Sequence, residues 1–200
     1  MKINIPNQLT FFRIILTPIF IFIIVENTAR SRFLATLLFF LAALTDWYDG
    51  YIARRFSQTS RLGQFMDPLA DKILVSGALA TFAYMNYAYT WMVVVIVGRD
   101  FLITFLRSYA LYHGKSIITS TFAKWKTFLQ MAFLVTLLIY INIPGLPDLR
   151  LDSAENPWLL WTTLTLSVVV ILTVLSGIHY LVVNRAHVIE LTKRTFKWFF

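Results

Sequence analysis

Six apolar stretches of bilayer-crossing length follow one another along a chain of 200 residues, and they leave it few folds to choose from. They cover about 9–25, 33–54, a third ending near 84, then 91–112, 120–141 and 158–183. Each is close to the ~20 residues that a helix needs to cross a bilayer. Within lipid, each backbone N–H and C=O must be satisfied inside the segment, so stretches of this kind form helices. Composition agrees. The chain is 58% hydrophobic, against about 45–50% apolar residues in soluble domains. The expectation is an all-α, polytopic membrane protein with six transmembrane helices and a short N-terminal juxtamembrane segment at residues 2–8. Residues 1–200 form a single domain. No clean small-residue cleavage site follows the first stretch, which therefore reads as a retained span rather than a signal peptide.

Charge orients the expected bundle. Net charge is +8, which on a soluble protein could mean nucleic acid. Here the tendency of Lys and Arg to collect on the cytoplasmic side of a membrane explains it, and no nucleic-acid partner is expected. With six spans both termini share a side. Of the 18 Lys and Arg, three (Arg30, Arg32 and Arg150) fall at the opposite end. Both termini are thus expected in the cytoplasm of a cell membrane crossed several times. There is no cysteine, which excludes a disulfide framework and any thiolate metal site.

Against this background the acidic residues are concentrated. Four of ten lie between positions 46 and 71. Asp46, Asp49, Gly50 and Ala53 stand at i, i+3, i+4 and i+7, one face of a helix. Asp67 and Asp71 stand at i and i+4, with Gly63 one turn earlier. A carboxylate inside a membrane costs about 2.5–3.5 kcal/mol on insertion scales, so it points to function. Two such faces brought together make a cluster of hard oxygen ligands suited to Mg²⁺, which shares its shell with substrate phosphates. Carboxylates merely solvated at helix ends would not need this spacing. Asn7 or Thr10 is expected to cap the first helix after Pro6. The third helix starts either at Asp67-Pro68 or near Ser60.

The string Asp46-x-x-Asp49-Gly50-x-x-Ala53-Arg54, eight further residues, then Gly63-x-x-x-Asp67-x-x-x-Asp71 resembles the signature of the CDP-alcohol phosphotransferases. All eight fixed residues are present over 26 positions. The resemblance implies transfer of the phosphatidyl group of CDP-diacylglycerol to an alcohol, with release of CMP, on two Mg²⁺ or Mn²⁺ ions. It implies Asp46, Asp49 and Asp67 as metal ligands with Asp71 shared, and Asp71 as the general base. Asp46, Asp49, Gly50, Ala53, Arg54 and Gly63 are the implied CDP-diacylglycerol contacts, and a homodimer is the implied assembly. The active site is expected at the cytoplasmic face, with the acyl chains left among membrane lipids. A cation transporter is the competing class, but such folds often show repeats and helices broken at the midplane, whereas this chain has no evident repeat and its motif carboxylates lie at one membrane face.

A second charged set lies in the fourth and fifth spans. Asp100, Thr104 and Arg107 share a stripe, as do Lys126 and Gln130, and Lys124 and Thr127. Snorkelling to headgroups, or pairing of Arg99 and Asp100 with other buried groups, is the plainer reading of each residue alone. As a set they suit an anionic second substrate, since Arg and Lys hold phosphate by charge-assisted hydrogen bonds. Gly98-Arg99-Asp100-Phe101, Ser120-x-x-x-Lys124-x-Lys126-Thr127-x-x-Gln130 and Pro6-Asn7-x-Leu9-Thr10-x-x-Arg13 are similar to family members whose acceptor is sn-glycerol 3-phosphate. This implies an acceptor site of Arg99, Arg107, Lys124, Lys126 and Thr127, with Asn7, Thr10 and Arg13 as further candidates. An inositol phosphate or a lipid alcohol is the alternative acceptor. His113, His179 and His187 are isolated and lack ligand spacing.

Overall fold

The computed structural model describes residues 5–56, 61–112, 121–146, 150–151 and 157–185, with the side chains of 5–10, 46–56, 61–68, 71, 109, 111–112, 121 and 157–160 outside the description. Among the described residues there are six helices and no strand: α1 Ile5–Val25, α2 Ala29–Phe56, α3 Arg61–Tyr84, α4 Thr90–Tyr112, α5 Thr121–Tyr140 and α6 Pro157–Val183. Two of them contain stretches long and apolar enough to cross a membrane, Phe122–Tyr140 and Trp161–Val183; Phe11–Val25 and Lys72–Tyr84 are apolar but shorter. In α4 the reason is plain, because Arg99, Asp100 and Arg107 interrupt its apolar run.

The outer surface is that of a membrane protein. Phe12, Ile15, Ile19 and Phe22 on α1, Phe33, Leu37, Leu41 and Leu44 on α2, and Leu164, Val168, Ile171, Leu175, Ile178 and Val182 on α6 are all exposed at helical spacing. Continuous apolar faces of this extent are not left open to water by soluble monomers. The inward stripes hold smaller or polar residues among the large ones: Ala35, Phe39 and Ala42 on α2, Ala70, Leu74 and Ala78 on α3, Lys126, Gln130, Phe133 and Leu137 on α5.

Short connections make the helices alternate in direction. At one end lie the turns 26–28 and 85–89 with residues 141–146 and 150–151, and the Leu151 N–H donates to the Asn86 carbonyl at 2.8 Å. Asn142 Nδ2 of the same end reaches Thr36 Oγ1 at 2.8 Å. The other end therefore gathers the C-terminal ends of α2, α4 and α6 and the N-terminal ends of α1, α3 and α5. α1 packs against both α2 and α3, α4 lies against α3 and α6, and α5 against α6, with lighter contacts to α2 and α3.

Local chemistry fixes the helix ends. Thr28 caps α2: its Oγ1 accepts from the Ser31 N–H at 3.1 Å, and Ser31 Oγ accepts from the Thr28 N–H at 2.9 Å, a reciprocal capping box with Ser in the place usually taken by Glu. α3 ends in a Schellman turn. Asn86 has φ 63°, Asn86 N–H bonds Ala83 O and Tyr87 N–H bonds Phe82 O, and the Phe82 and Tyr87 rings meet at 6.1 Å, the apolar contact that accompanies this motif. One boundary differs from the expectation and one settles an alternative. α1 begins at Ile5, so Asn7 and Thr10 lie inside it rather than capping it. Pro6 sits in the first turn, where no N–H is required. α3 begins at Arg61 and runs through Pro68, the earlier of the two starts.

Candidate active site

The aspartate motif occupies the end of the bundle where α2 finishes and α3 begins. Asp46 and Asp49 stand ten and seven residues before the end of α2, and Asp67 and Asp71 six and ten residues after the start of α3. At 1.5 Å rise per residue, all four lie about 9–15 Å in from that end. Depth therefore matches across the two helices. Register matches too. Positions 46, 49 and 53 continue the series of buried Ala35, Phe39 and Ala42 on α2, and 63, 67 and 71 that of Ala70, Leu74 and Ala78 on α3. The side chains of the four aspartates, Gly50, Ala53, Arg54 and Gly63 lie outside the described set.

Arg13 of α1 belongs to this level. The Phe20 and Phe39 rings lie 5.7 Å apart, which sets the register of antiparallel α1 and α2. Seven residues back along α1 is Arg13, and seven residues on along α2 is Asp46. α1 meets α3 where a Cβ at Gly77 would stand 2.9 Å from Thr17 Cγ2. Four residues back from that contact, Arg13 is level with Ile73, two residues from Asp71. Its guanidinium is 1% exposed, so it does not snorkel. A fixed cation lies at the depth of both halves of the motif. Asn7 and Thr10, the other two N-terminal candidates, have side chains outside the described set.

The second cluster centres on Asp100 of α4, which is 2% exposed. Lys126 Nζ of α5, itself 0% exposed, donates to Asp100 Oδ2. Arg99 Nη1 stands 3.3 Å from Oδ1, and Lys72 Nζ of α3 stands 4.0 Å from Oδ2. Arg99 Nη2 also donates to Ser176 Oγ of α6 at 3.0 Å. Gly177 lies against that side chain, and a Cβ there would stand 3.4 Å from Arg99 Cγ, an ordinary van der Waals contact. Three helices thus meet at one carboxylate that carries three cations, and α6 joins through Ser176 and Arg99. One turn further along the Lys126 face, Gln130 is buried with neither end of its amide hydrogen-bonded among the described residues; the hydroxyls of Ser76 and Tyr180 are likewise buried without a hydrogen-bond partner there.

The structure separates the sequence-derived acceptor set. Arg99 and Lys126 come together at Asp100. Lys124 and Thr127 lie on the exposed side of α5, where Thr127 Oγ1 bonds back to the Ala123 carbonyl at 3.0 Å. Arg107 is exposed two turns nearer the motif end of α4. Two participants escaped the sequence reading. One is Lys72, and the other is Ser176, a hydroxyl in the most apolar helix. Among the described residues no three acidic or histidine side chains gather as a metal site.

Comparison with known proteins agrees with this layout. The model of the CDP-alcohol phosphatidyltransferase family matches residues 3–175. A Haemophilus influenzae protein named CDP-diacylglycerol–glycerol-3-phosphate 3-phosphatidyltransferase is 36% identical over 194 residues, 95% of this chain and 98% of that relative. An Escherichia coli protein of the same name is 36% identical over 195 residues, covering 95% of this chain and all of the relative. With the signature whole on α2 and α3, and both matches running nearly end to end, the chain belongs to the CDP-alcohol phosphatidyltransferase family.

Proposed function

We propose that this protein is a phosphatidylglycerophosphate synthase: it transfers the phosphatidyl group of CDP-diacylglycerol to sn-glycerol 3-phosphate, giving phosphatidylglycerophosphate and CMP. The observation that carries this reading is a complete aspartate signature at matched depth on α2 and α3, in a chain whose near-full-length relatives bear the name of that reaction. Neither an inositol phosphate, a lipid alcohol nor cation transport has comparable support.

In the reaction a hydroxyl oxygen of the acceptor attacks the phosphorus that bears diacylglycerol. The bond from that phosphorus to the CMP oxygen breaks, CMP leaves with the electron pair, and the hydroxyl proton passes to Asp71. Asp46, Asp49, Asp67 and Asp71 supply an all-oxygen donor set at one level, which fits a pair of Mg²⁺ or Mn²⁺ ions. Such ions neutralise the diphosphate and polarise the reacting phosphoryl group. Gly50 and Ala53, next along the α2 face, leave space for the cytidine diphosphate, with Arg54 and Gly63 at its margin. Arg13 adds a fixed positive charge at that level. A largely apolar groove of about 460 Å³ between α3 and α4, lined by Leu69, Gly98, Phe101, Leu102 and Phe105 with Thr104 and Ser108, suits acyl chains that remain in the bilayer. The acceptor phosphate is held beside Asp100 by Arg99, with Lys126 buried beneath it; Arg107, Lys124 and Thr127 lie on exposed faces apart from that pair, and Asn7 and Thr10 stand in the first turns of α1 at the same end of the bundle.

The protein crosses the cytoplasmic membrane six times with both termini and the site inside, in keeping with the gathering of Lys and Arg at the motif end. A homodimer follows from the family resemblance. An acceptor screen on purified protein tests the function: CMP release from CDP-diacylglycerol should require a divalent cation and glycerol 3-phosphate. Equal release with plain glycerol, serine or inositol would refute it.

A further inference from the structure

The end of the bundle opposite the aspartate motif holds a pocket that the proposed reaction does not use. It has a volume of about 330 Å³ and lies between the first turn of α2, the 85–89 turn and the end of α5. That size falls within the ~300–1,000 Å³ of small-molecule sites. Its wall is more polar than apolar, and Arg32 is the one charged side chain among the described residues that line it. Arg32 Nε is buried with no hydrogen-bond partner among the described residues. Of the two carboxylate side chains described, Asp100 belongs to the cluster at Lys126, and Glu26 is exposed and does not line the pocket. A buried charged donor left unpaired is costly, so this guanidinium calls for an anion. The start of α2 adds to the same field, because Ala29 and Arg32 of its first turn line the pocket at the positive end of the helix dipole. Cations are scarce here: of the 18 Lys and Arg only Arg30, Arg32 and Arg150 fall at this end. Arg30 is exposed, whereas Arg32 is half-buried. The rim of the pocket is apolar. Ile143 and Leu146 line it and are exposed, and Phe33 and Leu37 continue an exposed apolar face down α2.

We propose that this pocket binds the phosphodiester of an anionic glycerophospholipid in the leaflet opposite the active site, with Arg32 holding its charge. A positive, polar wall beside an apolar outer surface matches an amphiphile: the phosphate sits at the helix ends and the acyl chains lie along α2. Arg is suited to the phosphate oxygens by its planar fork of donors. A headgroup of net negative charge is favoured over a zwitterionic one, because an ammonium finds no carboxylate among the lining residues. The bound headgroup ties the start of α2 to the end of α5, which Asn142 Nδ2 and Thr36 Oγ1 already join at 2.8 Å. The inference rests on the reading of the helices as membrane-spanning and not on the reaction, so it holds whichever acceptor the enzyme takes.

The test measures lipid retention by native mass spectrometry on the purified, delipidated full chain. The probes are phosphatidylglycerol, phosphatidylethanolamine and inorganic phosphate, and wild type is compared with Arg32→Gln, Arg32→Lys and Arg30→Gln. Wild type should retain phosphatidylglycerol about ten-fold better than phosphatidylethanolamine, and Arg32→Gln should lose about that factor, as removal of one charged phosphate contact does. Arg32→Lys should keep most of the preference, and Arg30→Gln all of it. Inorganic phosphate in molar excess should not displace the lipid. A second measurement needs no variant: phosphatidylglycerol with a photoreactive headgroup should label wild-type peptides within 29–37 or 139–146. Equal retention of the two lipids by wild type, unchanged retention in Arg32→Gln, or labelling confined to other segments would overturn the site. Displacement by inorganic phosphate would overturn the lipid as its occupant and make it a site for free anions. The enzyme assignment stands or falls separately, on the acceptor screen.

Discussion

Replacing Lys126 by Met removes the amine that most closely neutralises a carboxylate of 2% exposure while keeping the length and apolar stem of the side chain. Loss of one partner from a buried ion pair typically costs about 3–5 kcal/mol, because the other charge is left uncompensated. Here Arg99 at 3.3 Å and Lys72 at 4.0 Å still flank Asp100, which places the expected cost at the lower bound, about 3 kcal/mol. For a chain of this size each kcal/mol moves Tm by about 2–4 °C, so Lys126→Met should melt about 6–12 °C below wild type. The double variant Lys126→Met with Asp100→Leu removes both charges and should recover most of the loss, since apolar replacement of a whole buried pair is often neutral or better. Thermal unfolding in detergent, followed by the fluorescence of the six tryptophans, measures both. A drop below about 2 °C for the single variant, or a double variant less stable than the single one, would show that Asp100 is not held mainly by Lys126.

Three other predictions address the motif, the packing and the orientation. Asp49→Asn and Asp67→Asn should each abolish turnover with little effect on Tm. Activity above about a tenth of wild type, a barrier change of only ~1.4 kcal/mol, would remove that residue from the metal shell. Gly77→Leu should destabilise by about 1–3 kcal/mol through overpacking, because a Cβ there already meets Thr17 Cγ2 at 2.9 Å and Ile21 Cδ1 at 3.3 Å; Gly98→Ala, with nothing within 4 Å, should be neutral or slightly stabilising, and equal effects at the two sites would refute the α1–α3 contact. Cysteines placed singly in this cysteine-free chain at Asn86 and Asp152 should react with an impermeant reagent outside intact cells, and one at Gln58 should not; labelling at Gln58 alone would invert the orientation.

For the aspartate motif, helical spacing carries over as register only: positions 46, 49, 67 and 71 lie in α2 and α3 in line with the stripes of Ala35, Phe39 and Ala42 and of Ala70, Leu74 and Ala78, and their side chains lie outside the described residues. The acceptor set was legible only in part. Lys124 and Lys126 are two residues apart, about 200° around the helix, so a single pocket could not face both, and the structure turns Lys126 inward and Lys124 outward. What spacing does not carry is the partner across the bundle. Asp100 meets Lys126 26 positions away, and Arg99 meets Ser176 77 positions away; only the packing of α4 and α5 on α6 supplies those pairs. The ends of α1 and α3 were misjudged or left open because proline was read as a barrier, although an early turn tolerates it.

The central claim is tested most directly by following the acceptor's carbon. Purified protein in lipid micelles is given CDP-diacylglycerol, Mg²⁺ and carbon-labelled sn-glycerol 3-phosphate, and the lipid and nucleotide products are identified by mass spectrometry. The account predicts one labelled lipid that retains the acceptor's own phosphate beside the transferred one, formed in equal amount with CMP and lost in Asp71→Asn. CMP appearing without label in the lipid, or a labelled lipid that carries a single phosphate, would contradict it.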